Sequence, residues 1–181
     1  MTSLSDTITI KDLEFTPYVT HSDILSRIKE IGIKINQDYE NKNPLFIAVL
    51  NGSFMFASDL MKQVDLKSEL TFIKVNSYDG VESTGLIKEM ISIGQSVTDR
   101  HVVIIEDIVD TGNTITHLLN EISKMDPSSI EVVTLFSKPD SHETKLYIKY
   151  TGFDIPNKFI VGYGLDYDGY GRNYQDVYQL V

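Results

Sequence analysis

Apolar residues are grouped along this chain in two ways. Residues 45–50 (LFIAVL), 102–105 (VVII) and 130–136 (IEVVTLF) form short, nearly continuous runs rich in β-branched side chains, the pattern of parallel strands covered on both faces. Elsewhere the apolar positions recur at helical spacing: Ile24, Leu25, Ile28, Ile31 and Ile35; then Phe54, Ala57, Leu60 and Met61; then Ile115, Leu118, Leu119, Ile122 and Met125. Residues 69–77 (ELTFIKVNS) and 85–93 (GLIKEMISI) look like two more strands, and residues 1–20 read as an extended lead-in ending near Pro17. Pro44 closes the polar stretch after the first helix, and Asp126-Pro127 stop the third. This alternation predicts an α/β fold, a twisted and mainly parallel sheet flanked by helices, with no linker long enough to divide the chain. In an open α/β sheet, ligands bind beyond the carboxyl ends of the strands, so the loops there are the first place to look for chemistry.

The richest of these loops follows residues 102–105. The strand is expected to end in charge, at Glu106 and Asp107, followed by Ile108, Val109 and then Asp110-Thr111-Gly112-Asn113-Thr114 at the head of the third helix. Unpaired N–H groups and the positive dipole end at a helix start suit a phosphate, and Gly112 lets the main chain approach it closely. The Thr111 and Thr114 hydroxyls add donors, while Glu106 and Asp107 supply fixed acceptors for vicinal ribose hydroxyls or a hydrated Mg²⁺. Asn51-Gly52-Ser53 forms a second loop at the same edge, either a tight turn or a close backbone approach to a ligand. Lys138 follows the strand at 130–136, and the polar connection 78–84 is either a long hairpin or a lid. The last third runs through Phe153, Pro156 and Phe159-Ile160-Val161 to a Tyr/Gly/Asp-rich tail, GYGLDYDGYGRNYQDVYQL.

Composition narrows the options. A chain of 181 residues with 41% hydrophobic and 23% charged residues suits one globular domain with a sizeable core. The absence of Cys excludes a disulfide framework or a thiolate zinc site, and a cytoplasmic enzyme is expected. The start MTSLSDTITIKD lacks the basic and apolar regions of a signal peptide, and no run is long enough to span a bilayer. A net charge of −10 disfavours nonspecific attraction to nucleic acid or an anionic membrane, so neither is an expected partner. It also means that Mg²⁺ and backbone amides must supply much of the positive potential for a phosphorylated substrate. No Walker A string or paired metal-ligand histidines occur, and Tyr167 stands where the glycines of Gly162-Tyr163-Gly164 would need a third to make a dinucleotide fingerprint.

The string of four apolar residues, Glu-Asp, two apolar residues and Asp-Thr-Gly-x-Thr resembles the phosphoribosyl diphosphate motif of type I phosphoribosyltransferases. Together with VLNGSFMFASDL, SYDGVESTG, LFSKPD and FDIPNKFIVGYGLDYDGYGR, taken in order, it makes nearly the whole chain resemble the hypoxanthine-guanine phosphoribosyltransferases. The resemblance implies the type I phosphoribosyltransferase fold, with a small hood built from the N- and C-terminal segments. It further implies transfer of ribose 5-phosphate from phosphoribosyl diphosphate to hypoxanthine or guanine, with Mg²⁺ as cofactor and a homo-oligomer, dimer or tetramer, as the assembly.

By position, Asp110, Thr111, Gly112, Asn113 and Thr114 resemble the 5-phosphate cradle, and Glu106 and Asp107 the ribose contacts and metal ligands. Asp110 also resembles the catalytic base or acid at purine N7. Lys138, Phe159, Ile160 and Asp166 resemble the purine subsite, Asp166 being in addition a magnesium contact, largely through water. Asn51, Gly52 and Arg172 resemble the diphosphate contacts, and Ser77 and Tyr78 the lid. Asn51 departs from the family, many of whose members carry Lys or Arg there. The rival readings are an RNA-binding regulator on the same scaffold, which would need a basic surface, and a phosphoribosyltransferase for another base.

Overall fold

The computed structural model describes residues 7–75, 93–143 and 145–181. In chain order its elements are β1 (Ile8–Ile10), β2 (Leu13–Val19), α1 (His21–Asp38), β3 (Leu45–Leu50), α2 (Phe54–Met61), β4 (Glu69–Lys74), β5 (His101–Val109), α3 (Asn113–Ser123), β6 (Ser129–Ser137), β7 (Tyr150–Asp154), β8 (Ile160–Val161) and β9 (Val177–Leu180).

Five strands form a parallel sheet in the order β4-β3-β5-β6-β7. Successive side chains of a strand point to opposite faces, and both faces are apolar here. Phe46 and Ala48 of β3 with Val103 and Ile105 of β5 pack beneath α1 and α2, against Ile24, Ile28, Ile35, Phe56 and Leu60. Leu45, Ile47, Val102 and Ile104 face the other way, against Ile115, Leu118 and Ile122 of α3. Truncating any one of these fully buried aliphatic side chains to Ala costs about 2–5 kcal/mol. Thr20 caps α1, its hydroxyl accepting from the Asp23 N–H at 3.1 Å. Leu25 and Met125, assigned from spacing to buried helix faces, are 40% and 37% exposed: Leu25 falls outside the buried set of α1, and Met125 follows the end of α3 at Ser123.

The chain ends meet in a second, antiparallel sheet, β1-β2-β9-β8. Residues 8–19 are therefore a hairpin rather than a plain extended lead-in, and Pro17 sits at the register shift where β2 pairs β9. Phe15, Val161 and Tyr178 make this sheet's own small core, while Ile160, Tyr163 and Val177 join the main one. β7, which was not expected, fits beside β6 because Gly152 lies so close to the Leu135 carbonyl that any side chain there would clash. The strand expected at 69–77 is described as far as Val75, with β4 ending at Lys74; the one expected at 85–93, and Ser77 and Tyr78, lie outside the described residues apart from Ile93.

One difference from the expected strands positions the site. β5 does not stop at Ile105; it continues through Glu106 and Asp107 to Val109. Ile105 is instead the last residue paired with β3, while pairing with β6 runs on to Val109↔Ser137. The next two residues of β3, Val49 and Leu50, pair only with β4. β3 and β5 therefore part at their carboxyl ends, at the point where the strand order reverses and α2 and α3 depart to opposite faces.

Candidate active site

A cleft of about 410 Å³ fills the gap between β3 and β5. Asn51 and Gly52 line it from the β3 side, Glu106, Asp107 and Thr114 from the β5 side, and Asp166 and Arg172 from the tail. Three separate parts of the sequence-based assignment thus converge in one place.

Close main-chain packing makes the convergence possible. A Cβ on Gly52 would overlap the Asp107 carboxylate, so only glycine lets the β3 loop lie against β5. Gly164, at φ +99°, lies so close to the Gly52 carbonyl that a Cβ there would collide with it. The tail is thereby held over the β3 loop, and Gly164 N donates to Arg172 O at 3.0 Å. Arg172 in turn donates through Nη1 to Gly164 O at 2.7 Å and pairs through Nη2 with Asp166 Oδ1 at 2.7 Å. The second Asp166 oxygen accepts from Gly169 N at 2.7 Å.

The carboxylates on β5 sit differently. Glu106 is buried, and its Oε2 has no hydrogen-bond partner among the described residues. Burial, reinforced by the charge of Asp107, raises its pKa well above the ordinary carboxylate range. Asp107 is pushed up to about 6, chiefly by burial and further by Asp166; the Ile108 and Asp107 amides and Arg172 oppose the shift. Two adjacent strand residues aimed at one crevice cannot both hold full charge cheaply without an outside partner.

Past Val109 the chain turns through Asp110, Thr111 and Gly112 into α3. Gly112 is its N-cap at φ +85°, and no side chain caps the helix through it. Thr111 Oγ1 accepts from Asn113 N at 3.3 Å, and Asn113 Nδ2 donates to Glu143 Oε2 at 2.8 Å. Glu143 N also donates to Thr111 O at 3.0 Å, a contact across the connection after β6 that the sequence reading missed.

Beside this turn, Lys138 follows β6, its N–H donating to Val109 O at 2.9 Å. Its ammonium group is buried and lies 2.6 Å from Asp110 Oδ2, the Asp110 side chain being half exposed. Phe159 is 43% exposed and packs against Phe15 and Tyr167, with ring centroids 6.2 and 6.0 Å away. Ile160 is buried in β8, and the neighbouring Phe159 carbonyl already accepts from Leu180 N at 2.9 Å. Asp110, Lys138, Phe159 and Ile160 thus do not line the β3–β5 cleft, whereas Asp166, expected in part at the purine, does. Lys74 and Val75 line it without having been assigned any role.

A phosphoribosyl transferase domain model matches residues 16–168. The hypoxanthine-guanine phosphoribosyltransferase of Streptococcus pneumoniae is 38% identical over 156 residues, covering 86% of this chain and 87% of that protein. The chain belongs to the hypoxanthine-guanine phosphoribosyltransferase family. A solved hypoxanthine phosphoribosyltransferase from Staphylococcus aureus superposes with a TM-score of 0.83 at 38% identity, covering 91% of this chain and 90% of that one. One from Bacillus anthracis, a hypoxanthine-guanine phosphoribosyltransferase, gives 0.84 at 33% identity, covering 91% and 96%.

Within this phosphoribosyltransferase fold, Lys74 was missed because it reads as a mid-strand residue of 69–77. Only the β3–β4 register, Leu50↔Lys74, carries it to the cleft. Local sequence holds no sign of that pairing.

Proposed function

We propose that this phosphoribosyltransferase moves the 5-phosphoribosyl group of phosphoribosyl diphosphate onto hypoxanthine or guanine. The observation that carries the reading is the convergence of Gly52, Glu106, Asp107, Asp166 and Arg172 on one cleft, beside the pair of buried Lys138 and half-exposed Asp110. The bond from ribose C1 to diphosphate breaks with its electron pair leaving on the diphosphate, and a purine nitrogen forms the new bond to C1. Positive charge grows on the sugar, where the Glu106 and Asp107 carboxylates favour it; negative charge grows on the leaving group, near the Asn51-Gly52 turn and Arg172. The open start of α3 at Gly112 receives the 5-phosphate. Asp110 takes or returns the purine N7 proton, its carboxyl held in place by Lys138.

The donor set suits magnesium. Glu106 Oε2 lacks a partner, Asp107 and Asp166 line the same cleft, and all are hard oxygen donors. Among the described residues no group of three or more His, Cys, Asp or Glu could hold a metal ion. Magnesium ordinarily keeps several waters and shares its remaining positions between one or two carboxylates and substrate phosphates. Glu106 and Asp107 would hold it directly and Asp166, whose two oxygens are engaged by Arg172 and Gly169, through water. When bound, the ion neutralises charge on the diphosphate.

Lys138 sets the choice of base. Its ammonium only donates, which matches a 6-oxo acceptor and opposes the 6-amino donor of adenine. Phe159, partly exposed, offers a ring face for stacking, with the main chain at Ile160 close by. No helix among the described residues is long and apolar enough to cross a membrane.

The test is nucleotide formation from phosphoribosyl diphosphate with hypoxanthine, guanine, xanthine and adenine offered separately, with and without Mg²⁺. Magnesium-dependent product from the 6-oxopurines but not from adenine is expected. Lys138→Ala is expected to lower kcat/KM for the 6-oxopurines about 100-fold while leaving the KM for phosphoribosyl diphosphate nearly unchanged. Equal product from adenine, or no product from any base, would reject the reading.

A further inference from the structure

Among the described residues two cations and three carboxylates line the β3–β5 cleft, and one of the cations has no assigned work. Arg172 is committed to Asp166 and to the Gly164 carbonyl, so much of its charge is answered from within the protein. Lys74 is exposed and makes no ion pair among the described residues. It ends β4 in register with Leu50, the residue immediately before the Asn51-Gly52 turn. That turn offers main-chain donors and a neutral amide side chain, but no positive charge. Among the described residues, an incoming diphosphate therefore meets Glu106, Asp107 and Asp166 with Lys74 as the one uncommitted cation lining the same space.

We propose that Lys74 is the diphosphate-binding cation of this chain, supplying from the neighbouring strand the positive side chain that its turn lacks at Asn51. The inference rests on the transferase reading above and extends it to a residue with no role there. A strand end suits the task. The main chain at Lys74 is fixed by its pairing with β3, while the four-carbon stem lets the ammonium follow an oxygen of the leaving group as the bond to C1 breaks. Its contribution is electrostatic and confined to one substrate: it acts on phosphoribosyl diphosphate and on free diphosphate, not on the base. Lysine at this position also differs from lysine inside the turn, because it leaves the Asn51 side chain free to hydrogen-bond as a neutral group.

The experiment measures KM for phosphoribosyl diphosphate, KM for hypoxanthine and the calorimetric affinity for inorganic diphosphate in the presence of Mg²⁺. The variants are Lys74→Ala, Lys74→Arg and Lys74→Ala combined with Asn51→Lys. Lys67→Ala, an exposed lysine two residues before the start of β4, serves as the control. Lys74→Ala is expected to raise the KM for phosphoribosyl diphosphate and weaken diphosphate binding about tenfold, with the hypoxanthine KM unchanged. Lys74→Arg should stay near wild type, Asn51→Lys should recover most of the loss, and Lys67→Ala should change nothing. An unchanged KM in Lys74→Ala overturns the proposal. So does an equal rise for both substrates, or a loss that neither Lys74→Arg nor Asn51→Lys recovers. A wild-type protein inactive with every base would instead remove the transferase reading on which the proposal stands.

Discussion

The two ends of the parallel sheet treat carboxylates in opposite ways. At the amino-terminal end, Asp38 closes α1 and accepts from the Tyr150 hydroxyl at 2.6 Å, with Lys149 Nζ at 3.2 Å. The Tyr150 hydrogen bond, aided by Lys149, holds that carboxyl below its ordinary value. At the carboxyl-terminal end, burial and Asp107 push Glu106 up and its Oε2 goes unmatched. The Asp38 carboxylate is met from within the chain, whereas Glu106 Oε2 is not met among the described residues. An acceptor met by the protein contributes to stability, whereas one left short in a crevice costs stability until a ligand meets it. The first end is scaffold, and the second is arranged for a visitor.

Substitutions at the two ends should therefore separate activity from stability. The largest effect is expected at Asp110, next to the cleft. Asp110→Asn keeps the shape and can still accept from Lys138, but it removes the basicity. The single-turnover rate of nucleotide formation should fall about 10³-fold with the thermal midpoint nearly unchanged. A wild-type rate would remove Asp110 from the proton transfer. Glu106→Gln comes next. Replacing an unmatched, desolvated carboxyl with a neutral amide should raise the KM for phosphoribosyl diphosphate about tenfold without lowering the thermal midpoint of the ligand-free protein. A clear drop in midpoint would break the comparison, since it would make Glu106 a stabilising group like Asp38.

How much of this was legible beforehand depended on the range of the interaction. Residues 45–50 and the Asp-Thr-Gly-x-Thr turn were readable because their physics is local: a β-branched apolar run, and small polar residues before a helical apolar period. β5 was cut short at Ile105 because Glu106 and Asp107 look like the end of a strand. They remain in it because β6 continues to pair there after β3 has parted, so the charges lie along a cleft. The docking of the hairpin at residues 8–19 on β9 and the placement of Lys74 beside β3 rest on partners far away in the chain or on the neighbouring strand. Asp166 could be placed with magnesium and the purine by resemblance, but its ion pair with Arg172 follows from how Gly164 lies on Gly52. The contact of Glu143 with Asn113 had no local sign at all.

The smallest effect is expected at the amino-terminal end, and it sharpens the comparison through pH. Tyr150→Phe removes the hydroxyl that donates to Asp38 and leaves the ring in place. Asp38 is partly exposed and keeps Lys149, so the loss should be only about 1 kcal/mol at neutral pH, read from urea unfolding, with kcat and both KM values unchanged. The sign with pH follows from the depressed carboxyl. Its folded-state pKa lies below the ordinary 3.8, so its stabilisation is present in full above 3.8 and is lost as pH falls through the folded value. The gap between wild type and Tyr150→Phe should therefore be constant from neutral pH down to about pH 5 and close under more acidic conditions. A gap that persists there would assign the tyrosine's contribution to packing and not to its bond with a charged Asp38. Because this bond lies at the end of the sheet away from the cleft, any accompanying fall in kcat would show that the two ends are coupled.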